Sequence, residues 1–257
     1  MSVTITNVSY IVSGRTLLDE IDLTAEAGQL VAIVGPNGAG KTTLMRIIAG
    51  DIAPSSGEAR VDGRDPNNAT LQEMSKLRSY LGPQGASDNP FSVRDVVAMG
   101  RNPHRRAQIG LYDHDQIVLD AMARTDVSHL ADRSVSSLST GERQRVGLAR
   151  VLAQQTPVVL LDEPTSALDI GHQESVMSLL RLLTEGEMTV LTILHDLNLA
   201  AAHAHRLVLM AEGKVQRSGT PSDVLVDDIL TDVYRQKMRV IDHPDRSCPL
   251  VLTLDNQ

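Results

Sequence analysis

The sequence is poor in cysteine and in aromatic residues, and it lacks tryptophan. It holds one Cys, one Phe and four Tyr among 257 residues. The single Cys248 excludes an internal disulfide and is typical of a reducing compartment. The scarcity of aromatic side chains disfavours a base-stacking surface, and a net charge of −8 lacks the basic excess of a nucleic-acid interface. We therefore expect no nucleic-acid partner.

Long apolar runs are absent as well. No run approaches the roughly 20 residues that cross a bilayer, and residues 1–6 lack the basic and apolar regions of a signal peptide. Hydrophobic residues still make up 42% of the chain and charged residues 22%, as in folded globular domains. The sequence therefore predicts a folded protein that stays in the cytosol unless a partner docks it elsewhere.

A phosphate-binding loop is the most specific motif. The run G-P-N-G-A-G-K-T at 35–42 fits the P-loop pattern G-x-x-x-x-G-K-[ST]. A predicted strand at 29–34 precedes the loop and a predicted helix at 41–49 follows it, which is the context that a P-loop requires. Because the backbone N–H groups of such a loop surround phosphates, the sequence predicts a site for ATP and Mg²⁺. The predicted nucleotide-binding residues of the loop are Gly35, Pro36, Asn37, Gly38, Ala39, Gly40, Lys41, Thr42 and Thr43.

Two acidic residues follow the most apolar predicted strand, 158–161. They are Asp162 and Glu163, and α/β folds bind ligands at the carboxyl ends of parallel strands. Alone, this pattern also fits a strand end with solvated acids. With the P-loop, it predicts that Asp162 and the Thr42 hydroxyl hold Mg²⁺ while Lys41 contacts the β- and γ-phosphates. Glu163 is then the predicted general base that polarises the attacking water.

Two further polar residues follow predicted strands. His195 comes after the predicted strand 189–194, and Gln84 comes after the predicted strand 78–81. A lone histidine or glutamine is a weak signal, since most such residues lie on the surface or in the core. The order of P-loop, acidic strand and strand–histidine favours a contact of His195 with the γ-phosphate. Gln84 is predicted to sense Mg²⁺ and the attacking water.

A serine and a glycine begin the predicted helix 140–154. Ser139 lies three residues before Glu142, which is a capping-box spacing. The same helix end, with its free N–H groups, also suits a γ-phosphate. Ser139 and Gly141 are therefore predicted both to cap the helix and to bind nucleotide.

The alternation of strands and helices around the phosphate loop predicts an α/β fold with a mainly parallel sheet. Residues 4–9 alternate in polarity and are predicted to form an edge-type strand. Residues 88–154 are mostly helical in pattern and interrupt the core. We predict one domain over 1–257, with an ATP-binding core at 1–87 and 155–257 and a helical subdomain at 88–154.

In this order, the motifs resemble those of the nucleotide-binding subunits of ABC transporters over nearly the whole chain. The resemblance implies a P-loop NTPase core, an N-terminal antiparallel β region and an inserted α-helical subdomain. It also implies a homodimer beneath a membrane permease dimer, an external substrate-binding protein, and a peripheral location on the cytoplasmic face of the inner membrane. The corresponding segments are the Walker A loop 35–42, the Q-loop residue Gln84, the signature loop 138–142, the Walker B strand 158–162, the base Glu163, the D-loop 166–169 and the switch residue His195.

The finer pattern resembles importers of iron chelates, heme and cobalamin. The segments 91–104 and 195–200 are similar to that group, and the tail 240–244 is similar to its hemin-importer ATPases. The resemblance therefore implies heme as cargo, with ferric siderophores and cobalamin as alternatives. A soluble ABC ATPase of repair or translation is a further alternative, but such chains usually carry a coiled-coil insertion or a second cassette, for which 257 residues leave no room.

The chain departs from the family pattern at two positions. Thr140 replaces a glycine of the signature loop, where its side chain either crowds the loop or points to solvent. The aromatic residue that stacks on adenine usually stands just before an N-terminal glycine, but Val12 and Ser13 precede Gly14 here. Tyr10 is two residues before Val12 and shares its face of the strand, so Tyr10 is the predicted stacking residue, with a half-buried strand tyrosine as the alternative.

Overall fold

A computed structural model describes residues 2–83, 90–104 and 111–255 of the chain. Its strands are β1 (Val3–Val12), β2 (Arg15–Ala25), β3 (Leu30–Val34), β4 (Ser56–Val61), β5 (Arg78–Leu81), β6 (Val158–Asp162), β7 (Thr189–Ile193), β8 (Arg206–Ala211), β9 (Lys214–Gly219), β10 (Met238–Asp242) and β11 (Pro249–Thr253). Its α-helices are α1 (Lys41–Ala49), α2 (Leu71–Leu77), α3 (Val93–Met99), α4 (Leu111–Arg124), α5 (Thr140–Ala153), α6 (Ile170–Thr184), α7 (Leu197–His203), α8 (Pro221–Val224) and α9 (Asp227–Tyr234).

The central sheet has the strand order β5-β6-β7-β3-β8-β9. The first five of these strands run parallel, and β9 pairs antiparallel with β8 at one edge. Every residue of β3, β6 and β7 is buried, because helices cover both faces of a parallel sheet. This order brings the carboxyl ends of β3, β6 and β7 together, so the residues that follow them share one edge.

The N-terminal strands form a separate antiparallel sheet with the order β2-β1-β4. Strand β1 is thus the middle strand, and its prediction as an edge-type strand was wrong. Its alternating pattern reflects one buried face rather than an exposed edge. The hairpin between β1 and β2 turns at Ser13 and Gly14, which both have positive φ (49° and 78°), as the favoured two-residue hairpin turns require.

The helices between β5 and β6 have a hydrophobic core of their own. It is formed by residues of α3, α4 and α5, with Val97, Met122 and Ala149 almost fully buried at its centre. The predicted fold class is confirmed: the protein is mixed α/β, with a parallel sheet and antiparallel strands. The predicted boundaries of the core and of the helical subdomain stay a prediction.

The C-terminal part adds the two-stranded antiparallel sheet β10-β11, which packs beside α7 and α9. Among the described residues, no helix is both long enough and apolar enough to span a bilayer.

Candidate nucleotide site

The phosphate loop connects β3 to α1 and is wedged between two strands. Gly35 has a φ of 143°, and a Cβ there would lie 2.0 Å from the carbonyl oxygen of Met210 on β8. Gly40 has a φ of 95°, and a Cβ there would lie 2.8 Å from the carbonyl oxygen of Leu17 on β2. Only glycine fits such contacts. The loop is therefore fixed against β8 on one side and β2 on the other.

Lys41 closes the mouth of this loop. Its ammonium donates to the carbonyl oxygens of Gly35 (2.7 Å) and Pro36 (2.9 Å). Burial lowers the pKa of Lys41, and the nearby carboxylates of Glu163 and Asp162 offset part of that shift. A buried cation whose hydrogen bonds go to two neutral carbonyls can exchange them for phosphate oxygens at a favourable free energy. The lysine thus suits the binding of a polyphosphate.

Asp162, the last residue of β6, carries a buried carboxylate beside the Thr42 hydroxyl. The residue is 4% exposed, and neither carboxylate oxygen has a hydrogen bond of ordinary geometry in the described part of the protein. Burial raises the pKa of Asp162, and the Thr42 hydroxyl beside it lowers that pKa in part. A buried acid without partners is costly, and hard oxygen ligands suit Mg²⁺. These two side chains therefore fit a magnesium ion.

Glu163 and His195 meet at the same edge of the sheet. Their Oε1 and Nε2 atoms are 2.6 Å apart, and both side chains remain about two-fifths exposed (39% and 44%). Glu163 has a φ of 54°, which is uncommon for a residue with a side chain and is often seen at functional positions. The turn that follows β6 thus directs a carboxylate to the imidazole that follows β7.

Gln144 holds this turn in place and is a residue that the motif analysis missed. Its amide nitrogen donates to the carbonyl oxygen of Glu163, and its amide oxygen accepts from the N–H of Ala167 at 3.2 Å. Gln144 is only 7% exposed. One feature of the sequence could have indicated this role: Gln144 lies three residues after Gly141 and therefore on the same face of the predicted helix. The glutamine links α5 to the loop of the catalytic candidate.

The start of α5 is a capped helix end. The Ser139 hydroxyl accepts from the N–H of Glu142 (3.2 Å), and the Glu142 carboxylate accepts from the N–H of Ser139 (2.7 Å), so the predicted capping box is present. A Cβ on Gly141 would lie 2.9 Å from the carbonyl oxygen of Ala167, and glycine permits this approach. Thr140 is exposed and accepts from Arg143 at 3.2 Å, so its side chain turns along the helix.

Three predicted site residues do not join this cluster in a single chain. In the described ranges, no hydrogen bond connects Ser139 or Gly141 to the phosphate loop. Tyr10 is half-buried against the core that includes Leu18, its partner across the hairpin. The predicted sensor Gln84 lies outside the described residues.

The comparisons with known proteins agree with this geometry. The sequence profile of the ABC transporter family matches residues 18–166. The chain is 45% identical to the hemin import ATP-binding protein HmuV of Nocardia farcinica, over 94% of this chain and 84% of that protein. It is 44% identical to the protein of the same name from Escherichia coli O157:H7, over 96% and 97% of the two chains. The chain belongs to the ABC transporter family.

Solved structures of this family share the fold. A structure of the metal-chelate type of ABC transporter, in an inward-facing conformation, matches 99% of this chain and 98% of its own, with a TM-score of 0.82 and 27% identity. The ATP-binding cassette MJ0796, a dimer in a post-hydrolysis state with ADP and Pi, matches 85% of this chain and 98% of its own, with a TM-score of 0.77 and 27% identity. ABC cassettes bind ATP, generally with Mg²⁺, and form dimers, and importer cassettes work with a membrane permease.

Proposed function

We propose that the protein is the ATP-hydrolysing subunit of an importer that takes up hemin across the cytoplasmic membrane. The main support for ATP hydrolysis is the Glu163–His195 pair, whose Oε1 and Nε2 atoms lie 2.6 Å apart. The same edge of the sheet also holds Lys41 and the buried carboxylate of Asp162. The sequence identity of 44–45% to hemin import ATP-binding proteins, along nearly the whole chain, supports hemin as the cargo.

The phosphate loop and Lys41 bind the triphosphate. The N–H groups of residues 37–43 surround the phosphates, and Lys41 exchanges its loop carbonyls for β- and γ-phosphate oxygens. Thr42 and Asp162 hold Mg²⁺ through their oxygens, with Gln84 as the predicted further ligand. When bound, the metal ion neutralises charge that develops on the phosphate oxygens.

Glu163 is the proposed general base for the attacking water. Its Oε1 is held by His195, so Oε2 is the oxygen left to accept the proton. Because a carboxylate only accepts hydrogen bonds, the Nε2 atom of His195 must carry the proton of this bond. The bond then fixes the direction of the Glu163 carboxylate. We propose that the imidazole also contacts the γ-phosphate.

The complete site is proposed to need two copies of the chain. Ser139 and Gly141 start a helix whose N–H groups suit a phosphate, yet their contacts lie with α5 and the D-loop of their own chain. In a homodimer, the proposed site combines Lys41 and Glu163 of one subunit with Ser139 of the partner subunit. ATP binding then closes the dimer and hydrolysis reopens it.

The membrane partners follow from the same proposal. The homodimer works beneath a permease dimer, at the cytoplasmic face of the membrane and as a peripheral subunit. The region of Gln84 and the helices of the proposed subdomain at 88–154 transmit closure to the permease. An external binding protein delivers the cargo, so the ATPase need not contact hemin.

A growth experiment tests the cargo. A strain without this gene is grown under iron limitation with hemin or a ferric siderophore as the only iron source. The proposal predicts a defect on hemin alone that wild-type protein restores and Glu163→Gln does not. A defect on the siderophore alone would assign siderophore-bound iron as cargo instead, and normal growth on both would overturn hemin import as the function of this chain and favour cobalamin.

A further inference from the structure

A cavity of about 620 Å³ adjoins the phosphate loop, and Glu163 is not among the residues that line it. Its walls include residues 36–39 of the loop, the start of β2, the turn between β8 and β9, and the end of α9. Its volume is typical of sites that enclose a small ligand. A second cavity, of about 210 Å³, lies on the side of Asp162 and Glu163, where the terminal phosphate and water would be placed. The larger cavity is therefore the space available to the nucleoside.

Arg15 lies at the wall of this cavity formed by the β1–β2 hairpin. It is the first residue of β2 and pairs with Val12 across the turn. Its side chain is exposed, and in the described ranges its guanidinium has no ion pair or side-chain hydrogen bond. The guanidinium is thus a planar cation that makes no polar contact with another side chain of the described protein.

The backbone fixes Arg15 relative to the phosphate loop. Two residues along β2, the carbonyl oxygen of Leu17 lies 2.8 Å from the positions that a Cβ would take on Gly40 and on Gly213. The N–H of Asp19 also donates to the carbonyl oxygen of Gly213 at 2.9 Å. Arg15 lines the same cavity as residues 36–39 of the loop, so its position is set by the part of β2 that packs against the loop.

The two tyrosines near this cavity are less exposed than Arg15. Tyr10 is half-buried against the core and is not among the residues that line the cavity. Tyr234 does line it, but the ring is half-buried, and burial raises the pKa of its hydroxyl to about 12 while the N–H of Gly35 lowers that pKa in part. Arg235 also lines the cavity, but its guanidinium lies 3.5 Å from the carboxylate of Glu212. Arg15 therefore offers a flat face for a base that has no charged partner among the described residues.

We propose that Arg15 packs its guanidinium against the base of the bound nucleotide and takes the part that an aromatic side chain would otherwise play. This inference rests on the proposed nucleotide site. Guanidinium groups stack on π-systems and combine this contact with their charge. Because every base has such a face, the contact reads no base edge. Arg15 is therefore a base-binding residue that accepts adenine and guanine alike.

Binding of ADP and of inorganic pyrophosphate, both with Mg²⁺, separates the base from the phosphates. Calorimetric titration compares the wild type with Arg15→Ala, Arg15→Lys, Arg15→Tyr and the control Arg239→Ala, which removes the same charge from β10. We expect Arg15→Ala to weaken ADP and GDP binding about 3- to 30-fold, with pyrophosphate binding within about twofold of the wild type. Arg15→Lys, which keeps the charge and loses the plane, should resemble Arg15→Ala, whereas Arg15→Tyr should restore ADP binding.

Several results would overturn the inference while leaving the proposed function intact. Arg15→Ala with normal ADP affinity would do so, as would equal losses for ADP and pyrophosphate, because equal losses indicate a phosphate contact. Wild-type affinity in Arg15→Lys would leave only a role of charge. An ADP-specific loss in Tyr10→Leu or Tyr234→Leu, without one in Arg15→Ala, would assign the base to a tyrosine. A wild-type protein that binds no nucleotide would instead overturn the proposed function itself, and this inference with it.

Discussion

The Nε2 atom of His195 lies 2.6 Å from Oε1 of Glu163, across the ends of two neighbouring strands. The first residue follows β7 and the second follows β6, so the parallel register of the sheet sets their separation. A hydrogen bond of this length orients the carboxylate and leaves its second oxygen free.

Glu163→Gln should abolish turnover and spare binding. The amide keeps the shape of the side chain but cannot accept a proton at neutral pH. We expect kcat for ATP to fall about 10²- to 10⁴-fold, with the Kd for Mg-ADP within about threefold of the wild type. Glu187→Gln is a matched control, because Glu187 also has a positive φ (65°) and lies before β7 at the opposite edge of the sheet. Full turnover in Glu163→Gln would exclude the residue as the base.

Gln144→Met should lower kcat more than it changes KM. Methionine has a similar volume but removes one donor to the carbonyl of Glu163, which keeps the Ser166 hydroxyl as a donor, and it leaves the N–H of Ala167 without this acceptor. We expect a loss of about 1–3 kcal/mol of stability. Gln173→Met is the control, since Gln173 donates at 3.1 Å to the carbonyls of Thr165 and Leu168 in the same loop. Steady-state kinetics and thermal unfolding are measured on both variants. Equal effects on kcat would reduce Gln144 to a stabilising residue.

Asp162→Asn should stabilise the protein in the absence of nucleotide. Burial raises the pKa of Asp162, so the folded protein binds this proton more tightly than the unfolded chain does. Ionisation therefore costs stability, and the cost grows as the pH rises through the folded pKa. We expect the free energy of unfolding to rise by about 1 kcal/mol near neutral pH, and this gain to shrink as the pH falls.

The same variant should lose its response to Mg-ADP, because a ligand stabilises only the state that it binds. Asp223→Asn is the control with the opposite sign. Hydrogen bonds from Thr220 lower the pKa of Asp223, so its contribution is present above the unfolded pKa and disappears on acidification. Thermal unfolding across pH, with and without Mg-ADP, measures both variants. A nucleotide-free Asp162→Asn that is less stable than the wild type would contradict the assigned cost.

Mixing two inactive variants should recover activity. Lys41→Ala removes the lysine proposed to bind phosphate. Ser139→Asp keeps a good helix cap while placing negative charge against the proposed phosphate position. If each site combines one residue from each copy, half of the randomly assorted dimers contain one intact site. We expect about a quarter of wild-type ATPase activity in an equal mixture, since a dimer has two related sites. Each variant alone should be inactive, and an inactive mixture would argue against the composite site.

Much of the core could be predicted because its signals are local. The helix α1 begins and ends as predicted, since Gly50 adopts the left-handed conformation that stops it. Strands β6 and β7 were placed by their apolar runs, within one residue at their carboxyl ends. The helix α6 begins at Ile170, although the apolar residues of its buried face start only at Val176. Asp169 caps it by accepting from the N–H of His172, a polar signal that apolar periodicity does not include.

Other features depend on distant parts of the chain. The alternation of residues 4–9 indicated a strand but could not show that β4 pairs on its far side. The role of Gln144 depends on the carbonyl of Glu163, 19 residues away. Arg15 is close to the phosphate loop only because β2 packs on Gly40 and Gly213. Such long-range contacts have no periodicity in the sequence.

The two contacts of α5 with the loop after β6 have a mechanical consequence. Gly141 approaches the carbonyl of Ala167, and Gln144 binds both Ala167 and the backbone of Glu163. Because both residues lie on one face of α5, the helix and the loop are expected to move together as one rigid unit. The orientation of Glu163, the proposed base, is then expected to change together with that of the helix.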